Sequence, residues 1–96
     1  MALIDSDQVR HKCSNKVAHA LTEVLDHLES RCLDLEITWI FANRDSDRKY
    51  KNFECFLSLT DLNEKRLWSL AELAVSKTNK PCQIRRHSKN TIVIFN

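Results

Sequence analysis

The first third of the chain carries an apolar residue at every third or fourth position. Polar residues such as His19, Glu23 and Asp26 fall on the opposite side of a helical wheel. This spacing predicts one long amphipathic helix from Asp5 to about Arg31. Its apolar side is formed by Val9, Cys13, Val17, Leu21, Val24, Leu25, Leu28 and Cys32.

The next segment alternates apolar and other residues with a period of two, which is typical of β-strands. One strand covers residues 35–42, and a second covers residues 53–59 after a charged connection near residues 43–49. Together they predict a hairpin with a loop longer than the tightest turns. The alternation assigns one side of this hairpin to Leu35, Ile37, Trp39, Phe41, Phe53, Cys55, Leu57 and Leu59.

The second half of the chain repeats the sequence of helix and hairpin. Asp61 and Glu64 have the spacing of a helix-capping box, and apolar residues then predict a second helix that ends before Lys77. Pro81 prevents its continuation. The segments "CQIRRH" and "TIVIF" around "SKN" predict a terminal hairpin.

The order of elements is therefore α-β-β-α-β-β. Its short connections predict a two-layer α+β fold, with a mostly antiparallel four-stranded sheet packed against two helices. Ninety-six residues suffice for one hydrophobic core, so we expect a single domain over residues 1–96. The order leaves open whether both helices lie on the same face of the sheet.

The strands are apolar on more than one face. Ile40 and Phe56 fall opposite to the apolar side of the first hairpin, and strand alternation separates Val93 and Phe95 from their neighbours in "TIVIF". Soluble monomers avoid contiguous exposed apolar patches unless the patch binds something. If one helix covered each face, these residues would instead belong to the core. The predicted interface residues are Thr38, Ile40, Tyr50, Phe56, Trp68, Ile92 and Ile94.

The chain contains no glycine. A phosphate-binding P-loop and a dinucleotide fingerprint both need glycines for close approach of the backbone, so both are excluded. Left-handed turn positions must then use other residues, with Asn and Asp the best substitutes.

Charge is unevenly distributed along the chain. Residues 1–43 carry four basic and seven acidic groups, whereas residues 44–96 carry eleven basic and six acidic groups. A basic patch built from both hairpin loops is the basis of an alternative function, nucleic-acid binding, although the pI of about 8.4 is modest for such a domain. The predicted contacts are Arg48, Lys49, Lys51, Arg85, Arg86 and Lys89.

The cysteines predict neither a metal site nor a disulfide framework. Cys13, Cys32, Cys55 and Cys82 each fall within an apolar pattern and lack the spacing of zinc ligands. The N-terminus resembles no signal peptide, and no apolar run is long enough for a membrane span, which favours a cytoplasmic location without a membrane partner. We expect four free thiols, no metal and no cofactor.

The sequence contains no arrangement of nucleophile, base and orienting residue that signals catalysis. The resulting interpretation is a small non-enzymatic protein-interaction module that uses an apolar sheet face. Its partner is a second copy of the chain or another protein, as for an adaptor or inhibitor. Nucleic-acid binding is the less favoured alternative, and a pocket-based enzyme or ligand carrier comes third.

Overall fold

The computed structural model describes residues 6–61 and 63–96. Within them it confirms the α+β class, with three helices and four strands in the order α-α-β-β-α-β-β. Both predicted hairpins and the helix between them are present. The elements are α1 (Ser6–Lys12), α2 (Lys16–Arg31), β1 (Leu35–Arg44), β2 (Tyr50–Leu59), α3 (Glu64–Thr78), β3 (Gln83–Ser88) and β4 (Thr91–Phe95).

The four strands form one antiparallel sheet in the order β1-β2-β4-β3. Trp39 is opposite Cys55, and Cys55 is opposite Ile94 on the next strand. Residues directly opposite each other share a face of an antiparallel sheet. One face therefore collects the apolar positions of β1 and β2 and the residues Ile92 and Ile94 of β4. All of these except the half-buried Ile37 and Phe41 are buried.

The helices described by the structure all pack on this same face. A single core cluster joins Val9 of α1, Leu21 of α2 and Leu67 of α3 to the buried residues of the sheet, including Phe53 and Ile94. Burial of these side chains is the main stabilising term of the fold. The arrangement with one helix on each face, which the order of elements left open, is therefore not the one adopted. The opposite side of the sheet has no described helix over it.

The prediction of one continuous helix from Asp5 to Arg31 is wrong, because the helix is interrupted at residues 13–15. Cys13 forms a single parallel bridge to Tyr50, and the Ser14 N–H donates to the Tyr50 carbonyl at 2.9 Å. Asn15 then caps α2, its Oδ1 accepting from the Val17 N–H. Asp5 lies outside the described residues. The apolar spacing continues across the break, so the hydrophobic pattern does not reveal it.

The side chain of His19 also stabilises this interruption of the helix. Its Nε2 lies within hydrogen-bonding distance of the carbonyl oxygen of Cys13, and an imidazole N–H is the group that donates to a carbonyl. The side chain is half-buried, although its position on the helical wheel indicated the solvent side. The bend between α1 and α2 is thus held by backbone pairing to β2 and by a side chain from α2.

Helix α3 is capped differently from the predicted Asp61–Glu64 box. Asn63 is its N-cap, and the Asn63 Oδ1 accepts from the Arg66 N–H at 3.0 Å. At the other end Asn79 adopts the left-handed conformation with φ of 54°. Asn43 is likewise left-handed, with φ of 61°. Two of the three left-handed residues described are thus asparagines, as expected for a chain without glycine, and the third is Arg48, with φ of 64°.

Candidate protein-interaction face

The sheet side turned away from the helices is built from alternate residues of all four strands. The pairing register places these residues in rows that cross the sheet, and one of these rows is polar, with Glu36, Ser58, Thr91 and Ser88. Two further rows contain apolar side chains. The first of them is Thr38, Phe56, Val93 and Arg85, and the second is Ile40, Glu54, Phe95 and Gln83. These eight residues, together with His87, are called the outer face below.

The centre of the outer face is apolar and only partly exposed. Val93 has no exposed surface although no described helix covers it. Phe56 and Phe95 are half-buried. Ile40, on the edge strand β1, is 51% exposed. The outer face therefore has a packed centre and an open apolar margin along β1.

Polar side chains fold over this apolar centre from the β3 side. The guanidinium carbon of Arg85 lies 5.1 Å from the centre of the Phe95 ring, a cation–π geometry. Arg85 also donates to Glu54 Oε2 at 3.2 Å. The ring of His87 meets the Phe56 ring edge-on, with 5.2 Å between the ring centres. An apolar centre with aromatic and arginine side chains and a polar rim is the usual composition of a protein interface.

Two residues predicted for the interface lie in the core instead. Ile92 and Ile94 are opposite Leu57 and Cys55 on the helix-covered face, and both are buried. The residues that β4 contributes to the outer face are Val93 and Phe95. The sequence shows that these two pairs occupy opposite faces, but the register between β2 and β4 is needed to assign each pair to its side.

Tyr50 also departs from its predicted place beside Phe56. Its ring stacks on Phe41, with 5.6 Å between the ring centres, and Arg44 lies over the Tyr50 ring. Phe41 packs against the core, so this aromatic pair belongs to the helix side of the sheet. Counting residues along β2 from Phe56 assigns Tyr50 to the outer face, but at this end of the hairpin the Tyr50 ring turns toward Phe41.

Trp68 lies on α3, away from the outer face. It is half-buried against the core and lines an open groove of about 570 Å³ between α3 and β3. Arg86 is on the opposite wall and donates to Glu64 at 3.3 Å. The groove therefore presents the Trp68 indole beside this ion pair and the exposed Lys65.

The basic residues of the two hairpin loops do not come together. Arg48, Lys49 and Lys51 lie at the end of the sheet where β2 begins, whereas Lys89 lies at the turn next to Ser58. At about 3.3 Å per residue, the strand between these ends is roughly 26 Å long. The expected single basic patch is thus replaced by two separate groups.

Arg85 and Arg86 are separated from each other as well. Arg85 faces the outer side and pairs with Glu54, while Arg86 faces the helix side and pairs with Glu64. Both guanidinium groups are about half exposed, so each ion pair contributes little to stability. The pairing nevertheless lowers the positive potential that these two arginines present to a polyanion.

A cluster that the sequence did not suggest joins the end of α2 to the start of α3. Arg66 makes two hydrogen bonds to the Asp34 carboxylate, at 3.0 and 3.1 Å, and a third to the Cys32 sulfur at 2.8 Å. Hydrogen bonds from Arg66 and from the Cys32 thiol lower the pKa of Asp34. Burial and the Asp34 carboxylate raise the pKa of Cys32, which keeps it a thiol. Arg66 is 32 residues from Asp34 and 34 from Cys32 in sequence, so no local pattern could reveal the cluster.

The lowered pKa of Asp34 predicts an acid-dependent loss of stability. Because the folded pKa lies below the unfolded value of about 3.9, the Asp34 contribution is complete above that pH and disappears as the pH falls through the folded pKa. We expect Asp34→Asn to be less stable than the wild type at pH 6, with the difference shrinking toward pH 2. Urea unfolding across this pH range measures it. The matched control is Asp47→Asn in the exposed β1–β2 loop, and an equal pH effect in both variants would contradict the assignment.

The remaining thiols give no sign of activation. Cys13, Cys55 and Cys82 carry no disulfide, and burial raises the pKa of each. Among the described residues, no group of three or more His, Cys, Asp or Glu side chains is arranged to hold a metal ion. The four-thiol expectation can be checked by counting free thiols in denaturant without reductant.

Comparison with known proteins adds no relative. No family model, no curated protein and no solved structure matches this chain. Over residues 6–61 and 63–96, no helix is both long enough and apolar enough to cross a bilayer. The function must therefore be argued from the geometry of the outer face.

Proposed function

We propose that this protein is a non-enzymatic interaction module whose outer face binds a protein surface, either a second copy of the chain or another protein. The observation that supports this most is the exposure of Ile40, 51%, beside the half-buried rings of Phe56 and Phe95 on a face that no described helix covers. Burial of this exposed apolar surface in an interface is favourable by about 25 cal/mol per Å².

The charges of the outer face fit a protein partner better than a polyanion. Arg85 and Glu54 are both present and already paired, so the face carries no strong excess of one sign. A surface of this kind selects partners by shape and by the position of individual polar groups. The same proposal places the protein in the cytoplasm, where cysteine thiols stay reduced.

Nucleic-acid binding is the weaker alternative because it requires a continuous cationic surface. The two basic groups lie at opposite ends of the sheet, and Arg85 and Arg86 are paired with carboxylates on opposite faces. If the basic residues near the β3–β4 turn bind nucleic acid, the wild type should bind single-stranded or duplex oligonucleotides, and this binding should weaken steeply with salt. Equally weak binding by the wild type and by Arg85→Glu/Arg86→Glu would exclude nucleic-acid binding at this site.

The proposed function is tested by placing charge at the centre of the outer face. The double variant Phe56→Asp/Phe95→Asp removes both half-buried rings from strands that lie inside the sheet, away from its edges. We expect it to stay folded by circular dichroism and to lose the partner that the wild type retains at fixed stoichiometry in purification from its native host, or to form a smaller assembly than the wild type in light scattering.

A matched control places the same charges elsewhere on the surface. Leu33 and Leu73 are also exposed apolar residues, 94% and 41% exposed, but neither belongs to the outer face. The variant Leu33→Asp/Leu73→Asp should therefore keep the partner. If both double variants lose it equally, or if the wild type binds no protein and stays monomeric, the outer face is not a binding surface.

A further inference from the structure

The two edges of the sheet differ in how they are protected against pairing with another strand. β3 has six residues, carries the exposed polar side chains Gln83, Arg85, Arg86 and His87, and contains a register shift between Arg86 and Ser88. Short length, charge and a bulge are the usual means of blocking an edge. The β3 edge is therefore poorly suited to accept a further strand.

The β1 edge has none of these protections over most of its length. β1 has ten residues, and its register with β2 is unbroken from Leu35 to Ala42. The only charged side chain in that range is Glu36. A long, regular and weakly charged edge is a template for strand addition.

The hydrogen-bonding pattern identifies which backbone groups of β1 are open. Across the β1–β2 pair, the Thr60 N–H donates to the Asp34 carbonyl at 3.0 Å. Bonded and non-bonded pairs alternate along an antiparallel ladder, so the even-numbered residues of β1 bond to β2. The N–H and C=O groups of Ile37, Trp39 and Phe41 therefore point away from β2, toward the open edge. The Leu35 N–H also points away but is already bonded to the Cys32 carbonyl.

These three residues are self-complementary in one register. When two copies of β1 are related by a twofold axis, the numbers of residues opposite each other have a constant sum. The axis then lies midway between one central residue and its own copy. With the axis at Trp39, Ile37 is opposite Phe41 and Trp39 is opposite its own copy. All six outward backbone groups are then paired. With the axis one residue further on, Ile37 would be opposite the left-handed Asn43, and its groups would be left without a regular partner.

Charge and side-chain size agree with this register. Asp34 of one copy approaches Arg44 of the other at each end of the paired segment, so the terminal charges are opposite in sign. On the outer face, Thr38 of one copy is opposite Ile40 of the other, and cross-strand pairs of β-branched residues stabilise a sheet. This contact covers the apolar margin at Ile40, which is 51% exposed in the single chain.

We infer that two copies of this chain pair through antiparallel β1 edges, centred on Trp39, to form a continuous eight-stranded sheet. The twofold axis is then perpendicular to the sheet, so both helical layers lie on one side and both outer faces on the other. The two outer faces then form one continuous surface with about twice the projected area of a single outer face. The inference rests on the edge of the sheet and does not require that the outer face bind anything.

The register is tested by two variants that differ only in the sign of one charge. In Thr38→Lys/Ile40→Lys, each introduced lysine is opposite a lysine of the other copy. In Thr38→Lys/Ile40→Glu, each lysine is opposite a glutamate. Both positions have solvent access in the single chain, so both variants should fold. We expect sedimentation equilibrium to show association of the Lys/Lys variant at least about tenfold weaker than that of the Lys/Glu variant.

Amide hydrogen exchange gives a second, independent measurement on the wild type. The amides of Ile37, Trp39 and Phe41 should gain protection as the protein concentration rises, while those of Thr38 and Ile40 are protected throughout by their bonds to β2. The variant Phe56→Asp/Phe95→Asp should still show this gain, which separates edge pairing from binding by the outer face. A wild type that is monomeric at millimolar concentration, equal association of the two charge variants, or edge amides that do not respond to concentration would each overturn the inference.

Discussion

Replacement of Ile94 by Asp is expected to abolish the folded state, whereas the same change at the adjacent Phe95 leaves the domain folded. Ile94 has no exposed surface and lies between Cys55 and Ile84 on the helix-covered face. A carboxylate there must be buried without a partner or protonated, at a cost of several kcal/mol. That cost is comparable to the whole stability of a domain, about 5–15 kcal/mol.

Phe95 is half-buried on the outer face, where a carboxylate keeps contact with water. Circular dichroism and thermal unfolding of the two single variants measure the contrast. The comparison also tests the assignment of faces along β4, since the sequence pattern placed Ile94 at an interface. A folded Ile94→Asp variant together with an unfolded Phe95→Asp variant would mean that β4 is turned over relative to the structure described here.

The truncation Phe53→Ala is expected to lower the free energy of unfolding by about 3–5 kcal/mol. Phe53 is 2% exposed and packs on Trp39, with 5.6 Å between the ring centres. Its removal leaves a cavity in the core that the surrounding side chains fill only in part. Urea unfolding monitored by tryptophan fluorescence, to which Trp39 and Trp68 both contribute, measures the loss.

The control for this change is Phe56→Ala. Phe56 lies on the same strand but on the outer face, where its ring meets His87 and stays partly in water. The same number of atoms is removed, so a difference in stability reports burial and not residue type. Equal losses for the two phenylalanines would show that the outer face is buried in solution, as it would be in a complex or beneath a part of the chain not described here.

Most helices and strands of this fold could be predicted from local sequence patterns. Period-two alternation located β1 and β2, and Pro81 with the turn residues located the terminal hairpin. Helical spacing found α2 and α3. These patterns succeed because each element has one face in the core, and the repeat of the backbone sets the spacing of the residues on that face. The same patterns missed the break at Ser14 and Asn15, because hydrogen bonds to β2 from a distant part of the chain stabilise it.

The residues that form the outer face could be assigned only from the pairing between strands. Alternation along β4 shows that Val93 and Phe95 share one face and Ile92 and Ile94 the other, but both pairs are apolar, so hydrophobicity does not say which is inside. The register of Cys55 with Ile94 assigns them. Tyr50 was misplaced for a related reason, since its ring follows its contacts with Phe41 and Arg44 on β1, and alternation along β2 does not reveal these contacts.

Amino-acid order alone was thus sufficient for the α+β class, for most element boundaries and for the exclusion of glycine-dependent nucleotide motifs, because these depend on spacing within a few residues. The common side of the three described helices, the separation of the basic loops to opposite ends of the sheet and the Cys32–Asp34–Arg66 cluster emerged from the folded chain. Each of these involves residues that are far apart in sequence. Their proximity is set by how the hydrophobic faces pack together, and that packing is a property of the whole domain.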